Sequence, residues 1–205
     1  GVGYQFVIVS GLPSGAHEVQ CVVGWSANFV QFVFHASARL AATAPPSFRF
    51  GLVGDSYTDS GIAPYYGGLA RELHRLTGWA PAQLGQGSTG YTNSAASEGP
   101  GTGKSIYGST SRINALNALD PDIVIVVGSV NDGGASPAAV QQAATDYYAA
   151  LAPRQVIVLG VEPLHDPNNP ALSAWNSINE AVLTAARDAE NVVGIIDWRG
   201  EDWLT

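Results

Sequence analysis

Sulfur-containing residues are almost missing from this sequence of 205 residues, which has one cysteine and no methionine. A single cysteine, Cys21, cannot form a disulfide within the chain or build a thiolate cluster for a metal ion. Because Cys21 lies in an apolar stretch, we expect it to be an ordinary core residue. The absence of methionine, and a strand-like pattern that is already under way at Gly1, predict that further residues precede this sequence.

Positive charge is also scarce. The chain has 9 lysine and arginine residues against 17 aspartate and glutamate residues, so its net charge is −8. This balance, with no basic cluster, argues against nucleic acid as a partner. No apolar run approaches the roughly 20 residues of a membrane span and no signal-peptide pattern is visible, so we expect no membrane partner. Metal-ligand spacings such as H-E-x-x-H are missing, and no metal is predicted.

The first 40 residues have the character of β-strands. In the segment 30–40, apolar side chains alternate with polar ones, which is the period of a strand with one buried face. A few such strands rarely form a core of their own, so residues 1–40 are predicted to be the trailing part of a β-sandwich. The stretch AATAPPS, residues 41–47, has the small residues and prolines of a linker. The sequence therefore predicts a domain boundary there, with a second domain over residues 48–205.

From residue 48 onward, short apolar runs alternate with helical patterns. DIVIVVG (122–128) and QVIVLGV (155–161) are apolar almost throughout, as expected of parallel strands that are buried on both faces. Ser136 followed by Pro137 is a helix-start signal in which the serine is the N-cap. Repeated β-α-β units of this kind predict an α/β domain with a parallel sheet between two layers of helices.

Polar, glycine-containing loops follow the first three predicted strands. Ser56 follows the first strand, GQGSTG (85–90) the second and GSVND (128–132) the third. In an open parallel sheet, such loops share the edge at the carboxyl ends of the strands. Acyl transfer needs a nucleophile, a base and hydrogen-bond donors for the oxyanion. Ser56 can supply the nucleophile and a backbone donor, a glycine amide from residues 87–90 a second donor, and the Asn131 side chain a third. The competing interpretation of Ser56 is a helix cap.

The three loops resemble sequence blocks of the SGNH, or GDSL-like, hydrolase family: GDSYTDSG the first block, LGQGSTGY the second and GSVND the third. The resemblance covers residues 48–198. It implies that Ser56 is the nucleophile and that Ser56, Gly87 and Asn131 form the oxyanion hole, with Gly90 as the alternative to Gly87. It also implies a flavodoxin-like three-layer α/β/α sandwich with a five-stranded parallel sheet, and ester hydrolysis without a metal or an organic cofactor.

The catalytic base is the part of this pattern that the sequence does not contain. Members of the family carry it in a D-x-x-H block after the fifth strand, and the sequence reaches Thr205, seven residues beyond Trp198, without such a block. We therefore expect the chain to be truncated before that block, or the base to come from elsewhere. His165, in the loop after the fourth strand, is the alternative base. His74, on the first helix, is predicted to be a surface residue.

The nucleophile and the oxyanion donors favour a serine ester hydrolase that removes O-acyl groups. Some carbohydrate esterases of the family carry a β-sandwich before the catalytic domain, so the predicted first domain favours acetyl groups on a carbohydrate by analogy. The expected partner is a small acyl ester or an acylated glycan, and an extracellular or surface-associated bacterial or viral protein is favoured. The alternative is a non-catalytic binding or structural protein, such as a surface or virion component, on the same scaffold.

Overall fold

The described strands of the computed structural model form one parallel sheet in the order β2-β1-β3-β4-β5. The structure describes residues 48–59, 68–95, 103–161 and 172–200, together with Pro13 and Gly15. Apart from those two residues, the predicted β-sandwich and linker lie outside the described residues, as do Cys21 and His165. The strands are β1 (Arg49–Gly54), β2 (Ala80–Gly85), β3 (Ile123–Val127), β4 (Gln155–Leu159) and β5 (Val192–Ile196).

Helices cover both faces of the sheet. On one face, Ala70 of the first helix belongs to an apolar cluster with Phe50 and Leu52 of β1. On the other face, residues of the three later helices pack with Val124 and Val126 of β3. This is the predicted three-layer α/β/α sandwich with a five-stranded parallel sheet, and that prediction is confirmed. The described helices are α1 (Gly68–Thr77), α2 (Thr110–Leu119), α3 (Pro137–Leu151) and α4 (Leu172–Asp188).

Local sequence accounts for several of these elements. All five residues of β3 are buried, and all are β-branched, which suits the centre of a sheet that is covered on both faces. Ser136 is the N-cap of α3, as predicted, because its hydroxyl accepts the N–H of Ala139 at 3.2 Å and Pro137 occupies the first turn. Pro81 is tolerated in β2 because β2 is an outermost strand of the sheet, with a neighbouring strand on one side only.

The strand register brings three loops to the same edge of the sheet. Gly54, the last residue of β1, pairs with Gly85, the last residue of β2, and Val53 pairs with Val126 near the end of β3. The loops that follow these strands therefore begin side by side. Among the described residues, no helix is long and apolar enough to cross a membrane.

Candidate active site

The three polar loops meet through side-chain contacts, as the sequence predicts. The Asn131 side-chain amide donates to the carbonyl of Thr89 at 3.0 Å and to the Asp55 carboxylate at 3.3 Å. The backbone N–H of Gly87 donates to the Asp59 carboxylate at 2.8 Å. Residues after β1, β2 and β3 thus form one cluster at the carboxyl edge of the sheet.

Ser56 lies in a turn that immediately follows β1. Thr58 and Asp59 donate their backbone N–H groups to the carbonyl of Asp55 at 3.1 and 3.0 Å, and Tyr57 donates its N–H to the Asp55 carboxylate at 3.0 Å. Ser56 itself is half-buried. Neither its N–H nor its hydroxyl has a hydrogen-bond partner within the part of the chain that the structure describes. Among the described residues, the turn therefore uses its other amides internally and leaves both polar groups of Ser56 without a protein partner.

Asp55 is a buried carboxylate behind this turn, with 1% of its surface exposed. It accepts the N–H of Val130 and the side-chain amide of Asn131, both at 3.3 Å, in addition to the Tyr57 N–H. Burial raises the pKa of Asp55 above its ordinary value, although the backbone hydrogen bonds from Tyr57 and Val130 act in the opposite direction. Asp55 therefore ties the Ser56 turn to the loop that carries Asn131.

Asn131 lies on a short 3-10 turn, Val130–Asp132, directly after β3. The turn is fixed by Ser129, whose hydroxyl accepts the Asn131 N–H at 3.0 Å and donates to the carbonyl of Thr89 at 2.9 Å. Thr89 also accepts from the Asn131 side chain. Backbone and side chain of Asn131 are therefore both held against the loop that follows β2.

The two glycine amides proposed from the sequence already have acceptors within the protein. Gly87 donates to the Asp59 carboxylate, and Gly90 donates to the carbonyl of Asn93 at 2.8 Å. Ser88, between them, has a positive φ of 63°. Its N–H has no partner among the described residues. For either glycine to serve an oxyanion, its amide must exchange its present acceptor for the substrate oxygen.

Sequence reasoning did not identify Asp132, which is 1% exposed and adjoins Asn131. Its carboxylate accepts the backbone N–H groups of Tyr91 at 2.8 Å, Thr92 at 2.9 Å and Asn93 at 3.1 Å, and the Thr92 hydroxyl at 2.7 Å. A Cβ at Gly90 would overlap this carboxylate, so glycine is required there for the close approach. The sequence feature that could have identified Asp132 is its place in a loop that directly follows a buried strand, where an acidic residue is unusual unless it has partners.

Arg112 of α2 is the second residue that the sequence did not reveal. It is 4% exposed, and its guanidinium donates to the carbonyls of Gly54 and Leu84 at 3.0 and 2.6 Å and to the Thr89 hydroxyl at 3.0 Å. Burial lowers the pKa of Arg112 from its ordinary value. Its acceptors are mostly backbone carbonyls, which leave no pattern in the sequence. Arg112 joins the ends of β1 and β2 beneath the candidate site.

No histidine among the described residues lies near Ser56. His74 is half-buried on α1, and its Nδ1 lies 2.8 Å from the carbonyl of Trp79. Trp79 immediately precedes β2, so His74 is at the amino ends of the strands. The six residues of β1 separate the two edges by about 20 Å, at about 3.3 Å per residue. His74 therefore cannot be the base for Ser56, and His165 lies outside the described residues.

A charged network follows β5 at the same edge of the sheet. Asp197 accepts the Nε of Arg199 at 3.0 Å and the side-chain amide of Asn179 at 3.1 Å, and Arg199 also pairs with Glu180. The hydrogen bonds from Arg199 lower the pKa of Asp197 to about 2. Asn179 in turn accepts the N–H of Val161 at 2.6 Å, just after β4. This network fixes the ends of β4 and β5 to α4.

In the described part of the chain, no group of three or more histidine, cysteine, aspartate or glutamate side chains is placed to hold a metal ion.

Comparisons with known proteins identify a family and a fold. The model of the GDSL-like lipase/acylhydrolase family matches residues 52–204. No protein with a curated description matches the sequence. A family two carbohydrate esterase from Clostridium thermocellum, solved in complex with cellohexaose, is similar in structure with a TM-score of 0.51 and 16% sequence identity, over 77% of this chain and 56% of that one. An active-site mutant of a family two carbohydrate esterase from the same organism gives a TM-score of 0.50 at 14% identity, over 77% and 55% of the two chains. The chain thus spans little more than half the length of these esterases.

Proposed function

The chain belongs to the GDSL-like lipase/acylhydrolase family, and on that premise we propose that it is a serine ester hydrolase in which Ser56 attacks the acyl carbon of an O-acyl substrate. The observation that carries this proposal is that neither polar group of Ser56 has a hydrogen-bond partner among the described residues, whereas the other amides of its turn are already bonded. A serine that served only as a helix cap would accept a backbone N–H with its hydroxyl.

In the proposed reaction, the Ser56 oxygen forms a bond to the acyl carbon while its proton passes to a base. Negative charge then develops on the former carbonyl oxygen, and hydrogen-bond donors from the three loops stabilise it. The N–H of Ser56 is one donor and the side-chain amide of Asn131 another. The 3.0 Å bond to Thr89 fixes the plane of that amide. Its second N–H, whose nitrogen lies 3.3 Å from an Asp55 carboxylate oxygen, is the one that donates to the oxyanion.

The loop 87–90 supplies the remaining donor. We favour Gly87, with Gly90 as the alternative. The Gly87 N–H is bound to a carboxyl oxygen of Asp59. A substrate oxyanion is also an oxygen acceptor, and it can replace Asp59 when the tetrahedral intermediate forms.

An imidazole is the expected base, since serine at its ordinary pKa is a poor nucleophile. Two sources fit the proposal: His165, in the loop after β4, and a D-x-x-H block after β5 of the kind that the family resemblance implies. Replacement of His165 by alanine separates the two, because it abolishes ester turnover only if His165 takes the Ser56 proton.

An acylated carbohydrate is the substrate class that we propose. The fold similarity to two structures of a family two carbohydrate esterase in complex with a hexaose, one of them an active-site mutant, supports this class, while identities of 16% and 14% establish the fold alone. Acetyl groups on a glycan are therefore the first natural substrates to test, after a simple aryl acetate.

A non-catalytic binding or structural protein is the second candidate function. The observation that favours it is that no described histidine lies near Ser56, since His74 lies at the amino ends of the strands.

A fluorophosphonate probe tests the choice between the two functions. We expect it to label Ser56 in the full-length protein, and Ser56→Ala to abolish both labelling and aryl acetate hydrolysis. The control is Ser177→Ala, which removes an exposed hydroxyl on α4 and should keep both. Labelling that survives Ser56→Ala would exclude Ser56 as the nucleophile. A wild-type protein that neither reacts with the probe nor hydrolyses the ester would favour the binding or structural function.

A further inference from the structure

Two loops of the candidate active site are joined through one carboxylate that has no part in the proposed bond-making steps. We infer that Asp132 is a positioning residue of the proposed hydrolase. It holds the loop after β2 at a fixed position relative to Asn131, so that the distance between the oxyanion donors of the two loops stays constant. This inference rests on the proposed roles of Ser56, Asn131 and the glycine loop.

The hydrogen bonds of Asp132 use both oxygens of its side chain as acceptors. Three consecutive backbone N–H groups, from Tyr91, Thr92 and Asn93, and one hydroxyl converge on its two oxygens. An ionised carboxylate has only acceptor sites and can satisfy all four donors. An asparagine at this position would direct an NH₂ group at donors, and part of the set would be left without a partner.

The same loops are linked by contacts that lead from Asp132 to the proposed oxyanion donor. The side-chain amide of Asn93 donates to the backbone carbonyl of Asn131 at 2.9 Å. Thr89, at the other end of the loop, accepts from the Asn131 side chain and from Ser129. If the carboxylate releases residues 91–93, the loop loses its main attachment, and the groups that orient the Asn131 amide move with it.

Gly90 provides independent support, because a side chain there would occupy the space of the Asp132 carboxylate. The loop therefore approaches this one acid closely, at the residue that is also a candidate donor. Asp132 acts through the loop and through Asn131, and no contact of its own with the substrate is required.

Asp132→Asn in the full-length protein tests the inference, with Asp146→Asn as the matched control. Asp146 is an exposed acid on α3 that accepts one side-chain hydrogen bond, from Gln142 at 2.8 Å. We expect Asp132→Asn to accelerate hydrogen–deuterium exchange of the amides of residues 91–93. We also expect kcat for an aryl acetate to fall by about 100-fold with little change in KM, as for a misplacement of about 1 Å in an active site. The control should match the wild type in both measurements.

Different results identify which idea fails. If the wild type hydrolyses the ester in a Ser56-dependent manner and Asp132→Asn has the same kcat, the positioning role is wrong while the proposed function stands. Faster exchange at residues 91–93 with an unchanged kcat would leave Asp132 a purely structural role and would also overturn the inference. If the wild type shows no Ser56-dependent turnover, the proposed function fails, and the role of Asp132 in it fails too.

A milder variant covers the case in which Asp132→Asn does not fold. Thr92→Val removes only the hydroxyl bond to Asp132 and leaves the three amide bonds in place. It should lower kcat by less than Asp132→Asn, again with KM unchanged. A kcat equal to that of the wild type in this variant would then contradict the inference.

Discussion

Asn131 uses its side-chain amide for two purposes at once. One N–H is held by the carbonyl of Thr89, and the other makes a longer contact with the buried carboxylate of Asp55. The shorter bond fixes the orientation of the amide, and the longer one is the weaker of the two. A neutral amide held in this way can donate to a developing oxyanion without any change of its own protonation state.

Replacement of Asn131 by alanine should depress kcat with little effect on KM. Loss of one oxyanion donor typically costs about 10²–10³ in kcat, or roughly 3–4 kcal/mol of transition-state stabilisation. Steady-state kinetics with an aryl acetate measure this effect, and Asn117→Ala on the exposed face of α2 is the control. A raised KM with unchanged kcat would instead make Asn131 a ground-state binding residue.

The loop after β2 is the element with the most constrained backbone in the site. Gln86, Gly87, Thr89 and Gly90 all donate their N–H groups to acceptors within the protein. The amides of residues 91–93 are all bound to Asp132. A loop held at so many points can keep its donors in place while a substrate binds. Adding even a methyl group where the loop packs closely should therefore displace its backbone.

Gly90→Ala should lower both the stability and the kcat of the protein. The added Cβ would overlap the Asp132 carboxylate, and overpacking of this kind costs about 1–3 kcal/mol. Thermal unfolding and ester kinetics measure the two effects. Gly108→Ala is the matched control, because its Cβ would meet nothing closer than the Tyr147 side chain at 3.9 Å. If Gly90→Ala behaves like Gly108→Ala, the close approach of the loop to Asp132 is not as described.

Several of these elements could be predicted from local sequence. The apolar β3, the Ser136 cap of α3 and the position of Ser56 after β1 follow from residue types within a few positions of each other. The hydrogen-bond partners of the Gly87 and Gly90 amides could not be predicted in this way, because they depend on how neighbouring loops fold against each other.

At the scale of the whole molecule, the charged network after β5 connects the last described strand to α4. Asp197 joins Arg199 and Asn179, and Arg199 extends the network to Glu180. Because the hydrogen bonds from Arg199 lower the pKa of Asp197 to about 2, the folded state holds this proton less tightly than the unfolded chain does.

Asp197 should therefore contribute stability at neutral pH that is lost in acid. An aspartate in an unfolded chain has a pKa of about 3.9, so the contribution is complete above that value and disappears as pH falls through it towards 2. Urea unfolding of wild type and Asp197→Asn should show a difference in stability near neutral pH that shrinks over this range.

Ser177→Ala is the control for this experiment, because it removes an exposed hydroxyl on α4 and no titratable group. The difference in unfolding free energy between Ser177→Ala and the wild type should not depend on pH. If the difference for Asp197→Asn is also independent of pH, the hydrogen bonds from Arg199 do not stabilise the ionised Asp197 carboxylate.

The sequence by itself determined the α/β class, the parallel sheet and the loops that carry Ser56 and Asn131, since periodicity and turn chemistry act over a few neighbouring residues. Tertiary structure decided which groups hold those loops. Asp132 and Tyr91 are 41 positions apart, and Arg112 reaches a carbonyl 58 positions away. Their partners are backbone amides and carbonyls, which every residue has and no sequence pattern distinguishes. Only the folded sheet, which brings the ends of β1, β2 and β3 together, selects these contacts.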